Sequence, residues 1–291
     1  MLEAVPNVSE GRDTAVIEEI GRAFATGAAL LDVHTDADHH RSVFTLAGDT
    51  ESLVESLLEG ISRTLALVDL RTHDGVHPRI GAVDVVPLVP LETSEMDVAR
   101  TAALLVAERV GAEMGVPVFL YGEVGGGRRP AFFRRGGLDA LRRRLDDGEL
   151  DPDTGPRRFD PRSGAILVGA RNPLVAYNVD LATDDVRVAR EVAAAVRESS
   201  GGLPGVQAIG LYLPRSDRVQ VSMNVLDLER SPLHEVFARV TQEAAARGVV
   251  VAGGELVGLV PESVLTAAAA AAARIPDVDA SRVLERALER S

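Results

Sequence analysis

The chain has 291 residues, 46% of them hydrophobic, with no cysteine and a net charge of −13. That length and hydrophobicity fit one large or two moderate folded domains, and the acidic balance argues against a duplex nucleic-acid partner, which needs a basic face to release counterions. All 31 basic residues are Arg, so Schiff-base lysine chemistry and the lysine of a GxxxxGK[ST] phosphate loop are excluded, and the lack of Cys excludes thiolate nucleophiles and Cys-type metal sites.

Leu2–Pro6 reads as a short first strand. Asp13–Ala25 carries apolar residues at Ala15, Val16, Ile20, Ala23 and Phe24, the spacing of a helix. Ala28–Val33 and Ser42–Leu46 read as strands on either side of the polar segment His34-Thr35-Asp36-Ala37-Asp38-His39-His40-Arg41. Asp49 is placed to cap a long amphipathic helix over Thr50–Leu67. The segment His73-Asp74-Gly75-Val76-His77-Pro78-Arg79-Ile80-Gly81-Ala82-Val83-Asp84 follows. Gly75 and Pro78 break any helix there, so its imidazoles, carboxylates and guanidinium sit on a loop. That loop feeds an apolar run, Ala82–Val89, which reads as a buried strand. A loop on a rigid scaffold is where catalytic groups are commonly displayed.

A helix over Ser94–Met114 and a strand over Val116–Tyr121 come next. Gly125-Gly126-Gly127 and the Arg-rich stretch behind it read as a loop with short helices. Gly148–Arg162 is rich in proline and charge and reads as a connector. Strands are expected at Ala165–Val168 and Leu174–Val179, a helix over Thr183–Arg197, and strands at Val206–Leu213 and Val219–Leu226 around the turn Pro214-Arg215-Ser216-Asp217. Ser231–Arg247 reads as a helix, Val249–Val251 and Leu256–Val260 as two strands, and the tail from Pro261 as helical. Strands flank hairpin-like gaps more often than they alternate singly with helices. That pattern favours α+β layers with antiparallel or mixed sheets, and no GxGxxG supports a dinucleotide fold.

No apolar run reaches about eighteen residues, so no transmembrane helix and no membrane partner is expected. Met1-Leu2-Glu3 shows no basic-then-apolar signal, and the cytoplasm is the expected location. His73 and His77 are four apart, but the helix-breaking context spoils a metal pair, and His34, Asp36, Asp38, His39 and His40 show no recognised ligand spacing; no metal is expected. His77 is the better candidate as a general acid/base, oriented by Asp74, Asp84, Asp36 or Asp38 and titrating near the ordinary histidine value of about 6.5. The Arg128-Arg129 and Arg134-Arg135 pairs could form a local anion site, whereas Arg142-Arg143-Arg144 reads as a solvated helix face. A metal-dependent hydrolase built on the His/Asp loops stays open on the residues alone.

The segments Val5-Pro6-Asn7-Val8-Ser9-Glu10-Gly11, Asp38-His39-His40-Arg41-Ser42-Val43, His77-Pro78-Arg79-Ile80-Gly81-Ala82-Val83-Asp84, Leu120-Tyr121-Gly122-Glu123, Gly169-Ala170-Arg171 and Leu256-Val257-Gly258-Leu259-Val260-Pro261 occur in this order across nearly the whole chain. Together they resemble the formiminotransferase domain of glutamate formimidoyltransferases, without the cyclodeaminase domain of bifunctional relatives. The resemblance implies two tandem ferredoxin-like α/β-sandwich subdomains, 1–173 and 174–291, joined near Pro173-Leu174, with folate bound between them and a homodimer as the assembly. It implies transfer of the formimidoyl group of N-formimidoyl-L-glutamate to tetrahydrofolate, the co-substrate, in histidine degradation. It makes His77 the catalytic histidine and maps folate contacts onto Gly155-Pro156-Arg157-Arg158-Phe159-Asp160-Pro161-Arg162-Ser163-Gly164. Arg41, Arg79 and Arg171 are candidates for capturing substrate carboxylates, with structural ion pairing as the alternative. Typical members carry Asn where His40 stands, and some carry an acidic residue where His34 stands. A folate-binding member with another one-carbon donor, or with no transferase activity, therefore stays open. His73 shares the loop but lacks the Pro-Arg context and is expected to matter far less than His77.

Overall fold

The computed structural model describes residues 1–291, Thr93 by its backbone alone. The chain divides into two compact units, Met1–Asn172 and Pro173–Ser291.

The first unit contains β1 (Leu2–Ala4), β2 (Asn7–Val8), α1 (Thr14–Phe24), β3 (Ala29–Asp36), β4 (Arg41–Gly48), α2 (Thr50–Leu67), β5 (Val83–Pro90), α3 (Met96–Glu113), β6 (Val118–Gly122), α4 (Pro130–Arg134), α5 (Gly137–Asp146) and β7 (Ile166–Ala170). The single first strand expected over Leu2–Pro6 is two short ones. Both lie between β4 and β5, antiparallel to each. Pro6 lacks an amide hydrogen for the ladder, though its carbonyl still accepts from Phe44 N at 3.0 Å. With β3 outside β4, these strands and the helices α1 and α2 make a β-α-β-β-α-β unit of the ferredoxin-like kind. The chain then adds β7 and β6 in parallel beyond β5.

Asp13 accepts from Ala15 N and Val16 N, and Asp49 from Glu51 N and Ser52 N, so each carboxylate satisfies amides left bare at its helix start. Phe44, Leu46, Val86, Leu88, Ile166 and Val168 pack into the core under the long helices. The alternate residues Val85, Phe119, Tyr121 and Leu167 face the other way and pack with Phe133, Leu141 and Leu145 of α4 and α5. Every residue of β5 is buried, as a continuous apolar run predicts for a strand covered on both faces.

The second unit contains β8 (Val175–Leu181), α6 (Val186–Val196), β9 (Val206–Leu213), β10 (Arg218–Val225), α7 (Leu233–Ala245), β11 (Val251–Val257), α8 (Glu262–Ala270) and α9 (Leu284–Leu288). Its antiparallel sheet, ordered β11-β8-β10-β9, repeats the β-α-β-β-α-β pattern with its own core. The α+β reading with mixed and antiparallel sheets therefore holds. Two details differ. The two strands expected at 249–251 and 256–260 are one bulged strand, β11, whose apolar pattern is interrupted by Gly253 and Gly254. A Cβ at Gly254 would meet the Tyr177 hydroxyl at 2.0 Å, so the pattern gap is a packing requirement. The helical tail also stops early: Ala272 is left-handed and the chain turns away before Pro276.

Helices α1 and α2 cross where Gly60 faces Phe24; a Cβ there would lie 1.9 Å from Phe24 Cδ1, and Phe24 is fully buried. Gly60→Ala gains helix propensity of up to about 1 kcal/mol but overpacks an unyielding ring, which costs about 1–3 kcal/mol. Urea unfolding should show the variant less stable than the parent.

Candidate active site

The site grows from the docking of two turns. One is the tip of the β3–β4 hairpin, residues 37–40; the other is the loop before β5 that carries His73 and His77. Val76 N donates to Asp38 O at 3.1 Å, and the Arg79 guanidinium donates to His39 O at 2.5 Å and His40 O at 3.0 Å. Arg12, just after β2, donates to Ala37 O at 2.9 Å and ion-pairs with Asp74. Contact this close needs glycine. A Cβ at Gly75 would sit 2.3 Å from His39 O, and one at Gly11 would sit 2.2 Å from Asp36 O.

His77 is partly buried in this junction. Its Nδ1 lies 2.8 Å from Pro78 O and 2.7 Å from Arg41 Nη1, and its Nε2 lies 3.2 Å from the same Nη1. A carbonyl can only accept and a guanidinium can only donate, so Nδ1 serves one partner at a time. With its proton on Nδ1 toward Pro78, the ring keeps a lone pair on Nε2. Burial, then the Arg41 and Arg134 guanidiniums, hold the imidazole well below the ordinary histidine value. His77 is therefore a neutral base at pH 7, and the sequence-based expectation of a titration near 6.5 is overturned. The first cause is burial and the second the cationic surround, and only the fold assembles either.

Arg41 is anchored on both sides. It donates to Asn7 Oδ1, and its Nη1 lies 3.8 Å from Asp84 Oδ2. Asp84 is 1% exposed; it accepts from Ile80 N at 2.8 Å and ion-pairs with Arg134 of α4. Burial pulls the Arg41 guanidinium down and Asp84 pulls it back up. Beside them Tyr121 lies over Gly169, where a Cβ would meet its ring at 2.6 Å. Burial raises that phenol to about 12, against the lowering influence of Arg171. Arg41, Arg134 and Arg171 thus gather around Asp84 and Tyr121. Arg79 instead spends its donors on the His39 and His40 carbonyls of the hairpin, and its Nη1 lies 2.7 Å from His73 Nε2.

The acidic candidates orient other groups. Asp36 accepts from His39 N at 2.6 Å and bonds His39 Nδ1 at 3.0 Å, and the His39 ring centroid lies 5.9 Å from that of His77. Burial acts to raise the Asp36 carboxyl, but the bonds from His39 bring it below its usual range. Asp74 pairs with Arg12, and Asp38 is buried in the hairpin turn. His34 lies on β3, in register with Val43. Among the described residues no group of three or more His, Asp or Glu could hold a metal ion.

The stretch 155–164 is no free connector. Gly155 and Gly164 are left-handed, and Ser163 O accepts from Ala82 N at 2.8 Å while Ile80 O accepts from Ala165 N at 2.9 Å. Its C-terminal end is thereby stitched to the residues that follow His77-Pro78-Arg79. Arg157, Arg158 and Phe159 line a cavity of about 320 Å³ with Arg142, Leu145 and Asp146 of α5. Arg142 thus borders a cavity, where the sequence suggested only a solvated face. The sequence reading gave no role to Asn7 or Tyr121, although both lie in quoted segments. Arg134 was visible only as half of an Arg pair, and its partner Asp84 lies far away in the chain.

The depressed histidines carry a stability consequence. His77, His73 and His40 are all held below their ordinary values, chiefly by burial. In the unfolded chain they protonate near pH 6.5. As pH falls below that, the unfolded state binds more protons than the folded one, and stability drops with a slope of up to about 1.4 kcal/mol per pH unit per histidine. The loss continues toward pH 4, where His73 titrates in the folded state. Chemical denaturation between pH 7 and 4 should follow that fall. Asp84→Asn, which leaves Arg134 and Arg41 buried against a neutral amide, should cost about 3–5 kcal/mol in the same measurement.

Residues 1–171 match the formiminotransferase domain, N-terminal subdomain, and residues 176–276 match the formiminotransferase domain. A glutamate formimidoyltransferase of Thermoplasma acidophilum is 35% identical over 303 residues, spanning 100% of this chain and 98% of that protein. Another from Streptococcus pyogenes serotype M1 is 37% identical, spanning 96% of this chain and 95% of that protein. A formimidoyltransferase-cyclodeaminase of Sus scrofa is 41% identical over 93% of this chain but only 52% of its own length. With both of its units matched in order, the chain belongs to the formiminotransferase domain family.

Proposed function

We propose that this chain transfers the formimidoyl group of N-formimidoyl-L-glutamate to tetrahydrofolate, giving 5-formimidoyltetrahydrofolate and L-glutamate, a step of histidine degradation. The observation that carries the reading is a neutral imidazole, His77, set against an Arg41–Asp84–Arg134 cluster and bonded through its loop to the 155–164 stretch. The five-position nitrogen of tetrahydrofolate attacks the amidine carbon, and a tetrahedral adduct forms. His77 takes the proton that leaves the attacking nitrogen. The adduct collapses as the bond to the glutamate nitrogen breaks, and His77 returns the proton to the departing amine. A base with a depressed pKa begins this cycle already deprotonated and becomes a strong acid for the second step.

The donor carries two carboxylates. Arg41, Arg134 and Arg171 offer guanidinium forks of the kind that capture them. Arg79, by contrast, serves the loop. Folate contacts fall to Gly155–Gly164, with the Arg157, Arg158 and Phe159 side chains at the cavity. The cycle needs no metal. The same reading makes the chain a cytoplasmic homodimer with small-molecule substrates and with neither nucleic acid nor membrane as partner; among the described residues no helix is long and apolar enough to cross a membrane.

An assay with tetrahydrofolate and a panel of one-carbon donors tests the assignment, and N-formimidoyl-L-glutamate should be turned over fastest. His77→Ala should lower kcat by roughly 10² to 10⁴ while a stable folate analogue still binds. The acid limb of the pH profile should fall well below 6.5, in line with the burial and cationic surround of His77. Arg157→Ala with Arg158→Ala should weaken the analogue and leave kcat at saturation nearly unchanged. If a chelator abolishes turnover and zinc restores it, a metal-dependent reading replaces this one.

A further inference from the structure

We infer that His73 is a positioning residue for the transfer reaction: its two ring nitrogens latch the His77 loop to the β3–β4 turn. The inference rests on the assignment of His77 as the proton-transfer group. His73 Nδ1 accepts from Gly75 N at 3.1 Å, within the loop. Its Nε2 lies 2.9 Å from His40 O, across on the hairpin turn. A ring that accepts at Nδ1 and stays neutral must carry its proton on Nε2, and that proton points at the His40 carbonyl; Arg79 Nη1, 2.7 Å from the same Nε2, then donates to that carbonyl and not to the ring. One imidazole therefore uses its acceptor to shape the loop and its donor to fasten it.

Neighbours hold the ring on several sides. The ring stacks on His40, with centroids 4.1 Å apart and planes at 21°. Facing the pair are Arg79 and Asp74 from the same loop, and Glu10 and Arg12 from the segment after β2. His40 Nε2 bonds Glu10 Oε1 at 3.1 Å, and Glu10 Oε1 also accepts from Arg12 N and Asp13 N. Burial and Arg79 pull His73 down to about 4, so it does not take a second proton near neutrality. The target carbonyl is itself held in an unusual place. His40 is left-handed at φ 49°, a conformation a non-glycine residue keeps only when its surroundings over-determine it. The turn aims the His40 carbonyl at the loop, and both His73 and Arg79 bind it.

The consequence is geometric. His77 follows His73 by four residues, and its ring must stay in reach of Arg41 while it serves two substrates. A shift of about 1 Å in a reacting group can cost as much as a hundredfold in rate. Loss of the latch should therefore appear in kcat and spare ground-state binding.

Steady-state kinetics on the full chain tests this, with His73→Ala, His73→Phe and His73→Asn. His73→Phe keeps a ring to stack on His40 but has neither nitrogen. His73→Asn keeps one donor and one acceptor. The expected result is a fall in kcat of roughly tenfold to a hundredfold for Ala and Phe. KM for both substrates and Kd for a stable folate analogue should stay within about threefold, and Asn should recover part of the loss. Nitrogen NMR of the His77 ring should move in the Ala and Phe variants and return toward the parent in Asn. A folded His73→Phe with parental kcat and unchanged His77 signals overturns the proposal. So does a parallel collapse of kcat and analogue binding, which marks general damage to the site. His77→Ala run beside them separates the two claims: if it retains turnover, the assignment of His77 has failed, whatever the His73 variants do.

Discussion

The buried carboxylate of Asp84 is the constraint on which the site depends. It sits at the second residue of β5, where both faces of the sheet are covered, and it receives Ile80 N, the Arg134 guanidinium and the approach of Arg41. A charge taken out of water is tolerated only if other charges and hydrogen bonds replace the water. Here those replacements come from β4, from α4 and from the end of the His77 loop. Satisfying one carboxylate therefore fixes the relative positions of several elements. It also leaves the cations in excess near His77, which add to burial in keeping that histidine neutral.

Both units use the same β-α-β-β-α-β pattern, yet the candidate site draws on what the first unit adds to it. Beyond β5 the chain builds β6 and β7 and returns α4 and α5 over the sheet face that the long helices leave. That return supplies Arg134, Tyr121, Arg171 and the wall of the cavity beside residues 157–159. The polar junction of the two turns stays rigid because glycines at 11 and 75 let backbone meet backbone, and because Arg12, His73 and Arg79 satisfy the turn's carbonyls. Buried polar networks are worth having only when their members are paired, and this one is largely so.

Much of this was legible in the chain. Helix caps at Asp13 and Asp49, the apolar run of β5 and the hairpin around residues 214–217 are local signals, and they are read locally. The density of His, Asp and Arg in residues 73–84 pointed to a loop displaying chemistry, and Gly75 and Pro78 said it could not be helical. The bulged β11 reads as two strands because Gly254 answers to Tyr177, a residue on another strand.

What the sequence by itself determined is the set of elements, the mixed α+β class and the identity of the chemical groups, since these follow from periodicity, turn residues and the types of side chain present. What only the tertiary structure decided is which groups meet and what charge state they keep. Arg134 and Asp84 are 50 residues apart, as are no two groups that local spacing can relate. The depressed pKa of His77 depends on burial and on cations from β4 and α4. Long-range Coulomb fields and desolvation act through space, and no window of sequence contains them.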